Sequence, residues 1–206
     1  MSNQMPTVFV VDDDEPVRDA VAMLLETVDL PCETFSSARD FLDAYDSSRT
    51  GCLVLDIRMP GMSGLELQER LLDLKAPVPI VFITGHGDIP MAVEAMKRGA
   101  LDFIRKPFRD QELLDRVQEA LSVDEAQRAE YAGLEEVRAR VASLTPRENE
   151  VFLRVADGQA NKVVAIDLGI SERTVEIHRS QVMQKTGART LADLVRMKIT
   201  LERAGD

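Results

Sequence analysis

The chain reads as an α/β unit with a five-stranded, doubly wound parallel sheet, then a helical linker, then an all-α unit of four helices. Three observations lead there. Over the first 121 residues, short apolar runs alternate with segments of helical period. After Ser143 the strand-like runs stop and the period is purely helical. Between the two lies a stretch, 110–142, with no proline and one glycine, Gly133.

The apolar runs are 7–11, 32–35, 52–56, 79–83 and 101–104. The helix-period segments are about 16–28, 37–46, 64–74, 89–98 and 110–121. Five strands alternating with five helices predict a parallel sheet covered on both faces. Pro31, Gly51, Pro60-Gly61, Gly64, Pro77, Gly85, Gly87, Gly99 and Pro107 mark the turns. Leu134, Val137, Val141 and Leu144 keep three-four spacing, so the last helix is expected to continue into a helical linker over 122–142. A solvated charged linker over 122–133 is the competing expectation. Thr145-Pro146-Arg147-Glu148 is a capping box with proline at the first helical position. Helices are then expected from there to Gly158, over 161–168, over 172–186 closed by Gly187, and over about 191–203. The short helix, the Gly169-Ile170-Ser171 turn and the serine-capped helix after it form a helix-turn-helix.

Composition narrows the function. With 45% apolar residues the chain can build real cores. Its start lacks a secretory pattern, and no apolar run approaches the roughly 18 residues of a bilayer span, so a soluble, cytoplasmic protein is expected. Cys32 and Cys52 sit singly in strand-like runs, a spacing of neither a zinc site nor a redox pair, and are expected to be buried as small apolar side chains. The net charge of −11 is uneven: residues 1–121 hold 12 Lys+Arg against 22 Asp+Glu, while residues 143–206 hold 10 against 9. The acidic part and the near-neutral part are expected to have separate tasks, the second compatible with a polyanion.

In open parallel sheets, chemistry sits beyond the carboxyl ends of the strands. There the sequence places Asp12-Asp13-Asp14 after strand one, Asp56 at the end of strand three, Thr84 after strand four and Lys106-Pro107 after strand five. Three carboxylates converging on one point repel unless a hard cation neutralises them, and Mg²⁺ accepts carboxylates plus waters. A lysine and a hydroxyl beside them suit the oxygens of a phosphoryl group, and a carboxylate can take that group as an acyl phosphate. One aspartate after a strand is usually a turn former or helix cap, the reading kept for Asp14. Joint placement at four strand ends is what turns the others into a site.

Val10-Val11-Asp12-Asp13, Leu55-Asp56-Ile57-Arg58-Met59-Pro60-Gly61, Ile83-Thr84-Gly85 and Lys106-Pro107-Phe108 resemble the signature of receiver domains. With Gly85-His86-Gly87-Asp88-Ile89-Pro90-Met91-Ala92-Val93 added, nearly the whole chain resembles the FixJ-type two-component response regulators. The resemblance implies a flavodoxin-like receiver over 5–121 with Asp56 as the phosphorylated residue. Mg²⁺ would be ligated by Asp13, Asp56 and the Arg58 carbonyl, with Asp12 acting largely through water. Thr84 and Lys106 would contact the phosphoryl oxygens, and Phe103 would be the aromatic switch, although plain core is an equal reading for it. His86 is expected on the loop bordering the site, without a proton-carrying role. A sensor histidine kinase would supply the phosphoryl group, and receivers would pair through about 89–105.

At about 100° per residue, Val175, His178 and Val182 share one face of the 172–186 helix and are expected to pack inward. Arg173, Glu176, Ile177, Ser180 and Gln184 face the other way, toward a major groove, while Arg179 and Lys185 flank the packed stripe within reach of phosphates, as does Lys162 on the preceding helix. The order Leu144-Thr145-Pro146-Arg147-Glu148, Asn161-Lys162, Ala165, Gly169-Ile170-Ser171 and 173–179 is similar to LuxR-type output domains. That likeness implies a DNA-binding domain over 143–206, adds Thr174 to the DNA-facing set, and implies a homodimer on DNA acting on RNA polymerase as a transcriptional activator. Two other classes remain open. Asp-phosphate phosphohydrolases also use acid-rich strand ends and Mg²⁺, but place a second acid where this chain has Arg58; a phosphorylation-independent DNA binder would not need the Asp12/Asp13/Asp56/Thr84/Lys106 set.

Overall fold

The computed structural model describes residues 5–76, 78–85 and 89–204. They divide into two compact units that part between Arg128 and Ala129. The turn signals Pro77 and Gly87, and His86 with its expected place at the site, lie outside the described residues.

In the first unit, β1 (Thr7–Val11), β2 (Cys32–Phe35), β3 (Gly51–Asp56), β4 (Ile80–Thr84) and β5 (Asp102–Arg105) form one parallel sheet in the order β2-β1-β3-β4-β5. Alternation along each strand sorts the core into two layers. Phe9, Val11, Leu53, Leu55 and Phe82 point to the side covered by α2 (Ala38–Ala44), α3 (Gly64–Asp73) and α4 (Ile89–Lys97). Val8, Val10, Cys52, Val54, Val81 and Ile83 point to the side covered by α1 (Glu15–Glu26) and the first part of α5 (Asp110–Ala142). Strands buried on both faces must be apolar throughout, which is why the runs were readable as strands. β4 and β5 each lie one residue later than the apolar runs suggested. Pro79 offers only its carbonyl, to the Leu53 N–H, and the chain joins the ladder after it.

Gly51 opens β3 at φ +148°, and a Cβ there would stand 1.8 Å from the Thr7 carbonyl oxygen, so only glycine fits. Asp14 takes the N-cap position of α1, but its side chain caps nothing; its own N–H is instead held by Asp12 Oδ1 at 2.9 Å. Cys52 is buried as expected, whereas Cys32, on the edge strand β2, is only half-buried.

α5 is helical without a break from Asp110 to Ala142, through Gly133 and the stretch where a solvated linker competed. In the second unit, Val137 and Val141 near its end pack on the core of α6 (Pro146–Ala156), α7 (Asn161–Leu168), α8 (Glu172–Thr186) and α9 (Leu191–Arg203). That core is built from Val151, Phe152, Val155, Val164, Val175, Val182 and Leu194. The Thr145/Glu148 capping box and Pro146 start α6 as read, and Ser171 caps α8 by accepting from the Thr174 N–H at 3.1 Å. Gly169, left-handed at φ 65°, closes α7 and turns the chain into α8. The Arg147 guanidinium caps the same helix end by donating to the Leu168 carbonyl at 2.5 Å.

Candidate functional site

The sheet brings Asp12, Asp56, Thr84 and Lys106 to one end because β1, β3, β4 and β5 are parallel and all finish there. Asp12 is fully buried. Lys106 Nζ donates to Asp12 Oδ2 at 2.6 Å and lies 3.4 Å from Asp56 Oδ2, bridging the two carboxylates. The Asp12 carbonyl accepts from Arg18 Nη1 at 2.8 Å, tying α1 to the site. Asp13 is exposed beside them, and one carboxylate oxygen from each of Asp12, Asp13 and Asp56 falls within 4.8 Å of the others. Three hard oxygen donors at that spacing, two buried and one open to water, fit a divalent cation that keeps part of its hydration shell.

Asp56 is where the strain of the arrangement shows. Burial, which penalises the carboxylate, pushes its pKa up to about 6; Lys106 and the Arg58 backbone N–H pull it down, while the charge on Asp12 adds to the rise. For Lys106, burial works against the ammonium, but the hydrogen bond to Asp12 and the charge on Asp56 outweigh it, holding the pKa above the ordinary lysine value. Below Asp56 the chain leaves no slack. Gly64 donates its N–H to the Ile57 carbonyl at 2.9 Å, and a Cβ at Gly64 would lie 2.2 Å from the Asp56 carbonyl oxygen. The start of α3 therefore buttresses the backbone of the β3–α3 turn.

Thr84 is buried at the end of β4, its hydroxyl donating to the Gly85 carbonyl at 3.3 Å. The Arg58 side chain is exposed. Phe103 is half-buried and packs on the core layer of α3 and α4, a position open to both of its readings.

In the second unit, α8 turns Val175 and Val182 into the core and leaves Arg173, Glu176, Ile177, Ser180 and Gln184 exposed along its opposite side. Lys162 is exposed at the start of α7, and Thr174 is half-buried in the Ser171 cap. His178 is half-buried, next to the packed stripe. Arg179 Nη1 donates to Asn161 Oδ1 at 3.1 Å, joining α8 to the start of α7. Lys185 differs from the simple picture of a phosphate-reaching side chain: its Nζ lies 2.7 Å from Oε2 of the buried Glu148, so it ties α8 to α6. Glu148 was legible as a capping residue, and its pairing with Lys185 was not, because the partners are 37 residues apart.

The receiver-domain family profile, described as the response regulator receiver domain, matches residues 8–118. The luxR family of bacterial regulatory proteins matches residues 142–198. The chain belongs to the two-component response regulators that join a receiver domain to a LuxR-type DNA-binding domain, and within them it is of the FixJ type. Members of this class are transcriptional regulators and not enzymes. Nodulation protein W of Bradyrhizobium diazoefficiens is 50% identical over 94% of this chain and 86% of its own length. Transcriptional regulatory protein FixJ of Rhizobium meliloti is 47% identical over 94% of this chain and 95% of its own. Among solved structures, the response regulator StyR is 47% identical, covers 94% of this chain and 98% of its own, and superposes with a TM-score of 0.86. Among the described residues, no helix is long and apolar enough to cross a membrane.

Proposed function

We propose that Asp56 is the phosphoacceptor and that its phosphorylation by a sensor histidine kinase promotes pairing of two chains and sequence-specific binding to promoter DNA. The observation that carries this reading is the bridge from Lys106 Nζ to Asp12 and Asp56, at 2.6 and 3.4 Å, within a cluster of three carboxylates. Asp13, Asp56 and the Arg58 carbonyl would ligate Mg²⁺ directly, with Asp12 largely through water. Mg²⁺ supplies the positive charge that lets an anionic carboxylate meet an anionic phosphoryl group. An Asp56 carboxylate oxygen forms the bond to phosphorus as the bond to the kinase histidine breaks, and the imidazole leaves with its electron pair. Lys106 neutralises charge on the phosphoryl oxygens, and the Thr84 hydroxyl, once turned from Gly85, donates to one of them. In this reading Phe103 is the aromatic side chain that would answer that turn.

The proposed division is a receiver over 5–121, a helical linker over 122–142 and a DNA-binding domain over 143–206. Receivers pair through about 89–105, and the paired output domains recruit RNA polymerase as an activator. On DNA, Arg173, Thr174, Glu176, Ile177, Ser180 and Gln184 meet base edges and adjacent backbone, while Lys162 and Arg179 meet phosphates. Lys185 belongs to the phosphate set through the donors of its ammonium that Glu148 does not take.

Incubation with acetyl phosphate and Mg²⁺ should add one phosphoryl group to the wild type and none to Asp56→Asn, read by intact mass. Selection from random-sequence DNA, with and without the phosphodonor, should enrich a two-fold symmetric site only from the phosphorylated protein. Equal labelling of both proteins removes Asp56 from the role, and equal enrichment without phosphodonor removes the switch.

A further inference from the structure

The charge pair Asp124–Arg128, its acid buried and its guanidinium partly exposed, lies on α5 at the end of the first compact unit. One helical turn apart, the two side chains face the loop that leads into β3. The Asp124 side chain is 3% exposed and accepts from the Gly51 N–H at 2.9 Å. Arg128 Nε donates to both of its oxygens, at 2.8 and 3.0 Å. The two terminal nitrogens of Arg128 donate to the carbonyls of Ser47, at 3.2 Å, and Arg49, at 2.5 Å. One charge pair thus holds three backbone groups of the segment that starts β3.

Holding a helix against a sheet does not require this. Apolar side chains do it at Leu113, Val117 and Ala120 of the same helix, and a buried ion pair is often no more stabilising than a well-packed apolar substitute. What the pair adds is direction: among the described residues, its hydrogen bonds to the sheet and its loops go to the start of β3 and the turn before it. β3 is buried along its whole length, opens at a glycine wedged against Thr7, and ends five residues later at Asp56. β3 is packed on both faces, so a displacement at Asp56 would be passed along it toward Gly51, which is bonded to α5.

We infer that Asp124 and Arg128 form a lock through which the state of Asp56 is carried along β3 into the linker helix. The inference rests on the reading of Asp56 as phosphoacceptor. Arg128 and Asp124 are positioning residues in it, and neither touches the phosphoryl site.

The test is hydrogen exchange on the full-length protein, with labelling by acetyl phosphate and Mg²⁺ followed in parallel by intact mass. In the wild type, exchange over 119–133 should be slow and should change when the mass shows phosphorylation. Arg128→Met should be labelled to the same extent and keep β1 and β3 protected, but exchange about ten-fold faster over 119–133 and lose the response to labelling. Arg128→Lys, which keeps the charge but not the fork, should fall between the two. If Arg128→Met does not fold, Asp124→Asn serves, since its amide oxygen still accepts from Gly51 while the charge pair is gone. The lock is overturned if the variants protect 119–133 as the wild type does, if the labelled wild type shows no change there, or if a loosened variant still responds fully. Absence of labelling in the wild type itself appears in the mass, and defeats the phosphoacceptor reading rather than the lock.

Discussion

At the carboxyl end of the sheet, charge is concentrated and withdrawn from water; along the outer side of α8, it is dilute and exposed. Asp12 is fully buried and Asp56 nearly so, and a single lysine serves both. On α8 the nearest comparable feature is Arg173 and Glu176, 3.6 Å apart and largely solvated, a pair of negligible strength. The difference suits the two proposed tasks. A site that must bind a cation and an anion in turn gains from carboxylates held close before either arrives, because the cost is met by folding. A surface that must fit a long polyanion gains from side chains that are free to settle, and keeps its own charges from being neutralised internally. Lys185 is the exception on α8, since its ammonium is paired with buried Glu148.

The contrast can be broken most sharply at Lys106. Lys106→Ala leaves Asp12 and Asp56 facing each other in a buried site, and should cost about 3 kcal/mol in denaturant unfolding with chelator present. Mg²⁺ should recover a good part of it, and acetyl phosphate should still label the variant without inducing pairing. Unchanged stability in chelator would mean that the carboxylates are better solvated than their burial implies.

The second test uses pH. Asp56 has its pKa raised from 3.8 to about 6 by burial, so the folded state holds this proton more tightly than the unfolded chain does. The cost of ionising it is therefore absent at low pH and appears as pH rises through about 4 to 6. Thermal melts in chelator should show that loss, and Asp56→Asn should flatten it. Because Mg²⁺ must displace the same proton, its affinity should be about ten-fold weaker at pH 5 than above pH 7, measured by titration calorimetry.

On α8 the expected effects are smaller and divide by side. Lys162→Ala and Arg179→Ala should weaken binding to every DNA sequence alike and lower the salt slope by about one each. Glu176→Ala and Ser180→Ala should leave the slope in place and alter which sequences are selected from a random pool. Lys185→Ala should lower the melting temperature of the second unit more than it changes the slope, since its ammonium already has a partner. A Lys185→Ala salt slope reduced as much as that of Lys162→Ala would move it back to the phosphate-contacting set.

How much of this was legible in the sequence depends on how far apart the partners lie. The sheet was, because a strand buried on both faces is an unbroken apolar run, and the pocket was, because each strand delivers its residue at its own end. The outer side of α8 followed from period alone: Val175 and Val182 inward, Ser180 and Gln184 outward. Asp124 was not, because its partner Gly51 is 73 residues away and nothing near Asp124 distinguishes it from the solvated acids of the same helix. Asp14, read as a turn former or helix cap, does stand at the N-cap of α1, but without a side-chain bond there, and its N–H is held by Asp12 Oδ1. Cys32 was expected inside because its run is apolar, but β2 is an edge strand, and edges cover less.

The register of the sheet has a practical corollary for those cysteines. Cys32 and Cys52 both stand opposite Val8, one on each side of β1. Two strand spacings separate them, roughly 9.5 Å between backbones, where a disulfide tolerates no more than about 7 Å. Each thiol is also a poor nucleophile: burial lifts Cys32 to about 11 and Cys52 to about 12. The folded regulator can thus be purified and stored in air without sealing an internal bridge between them.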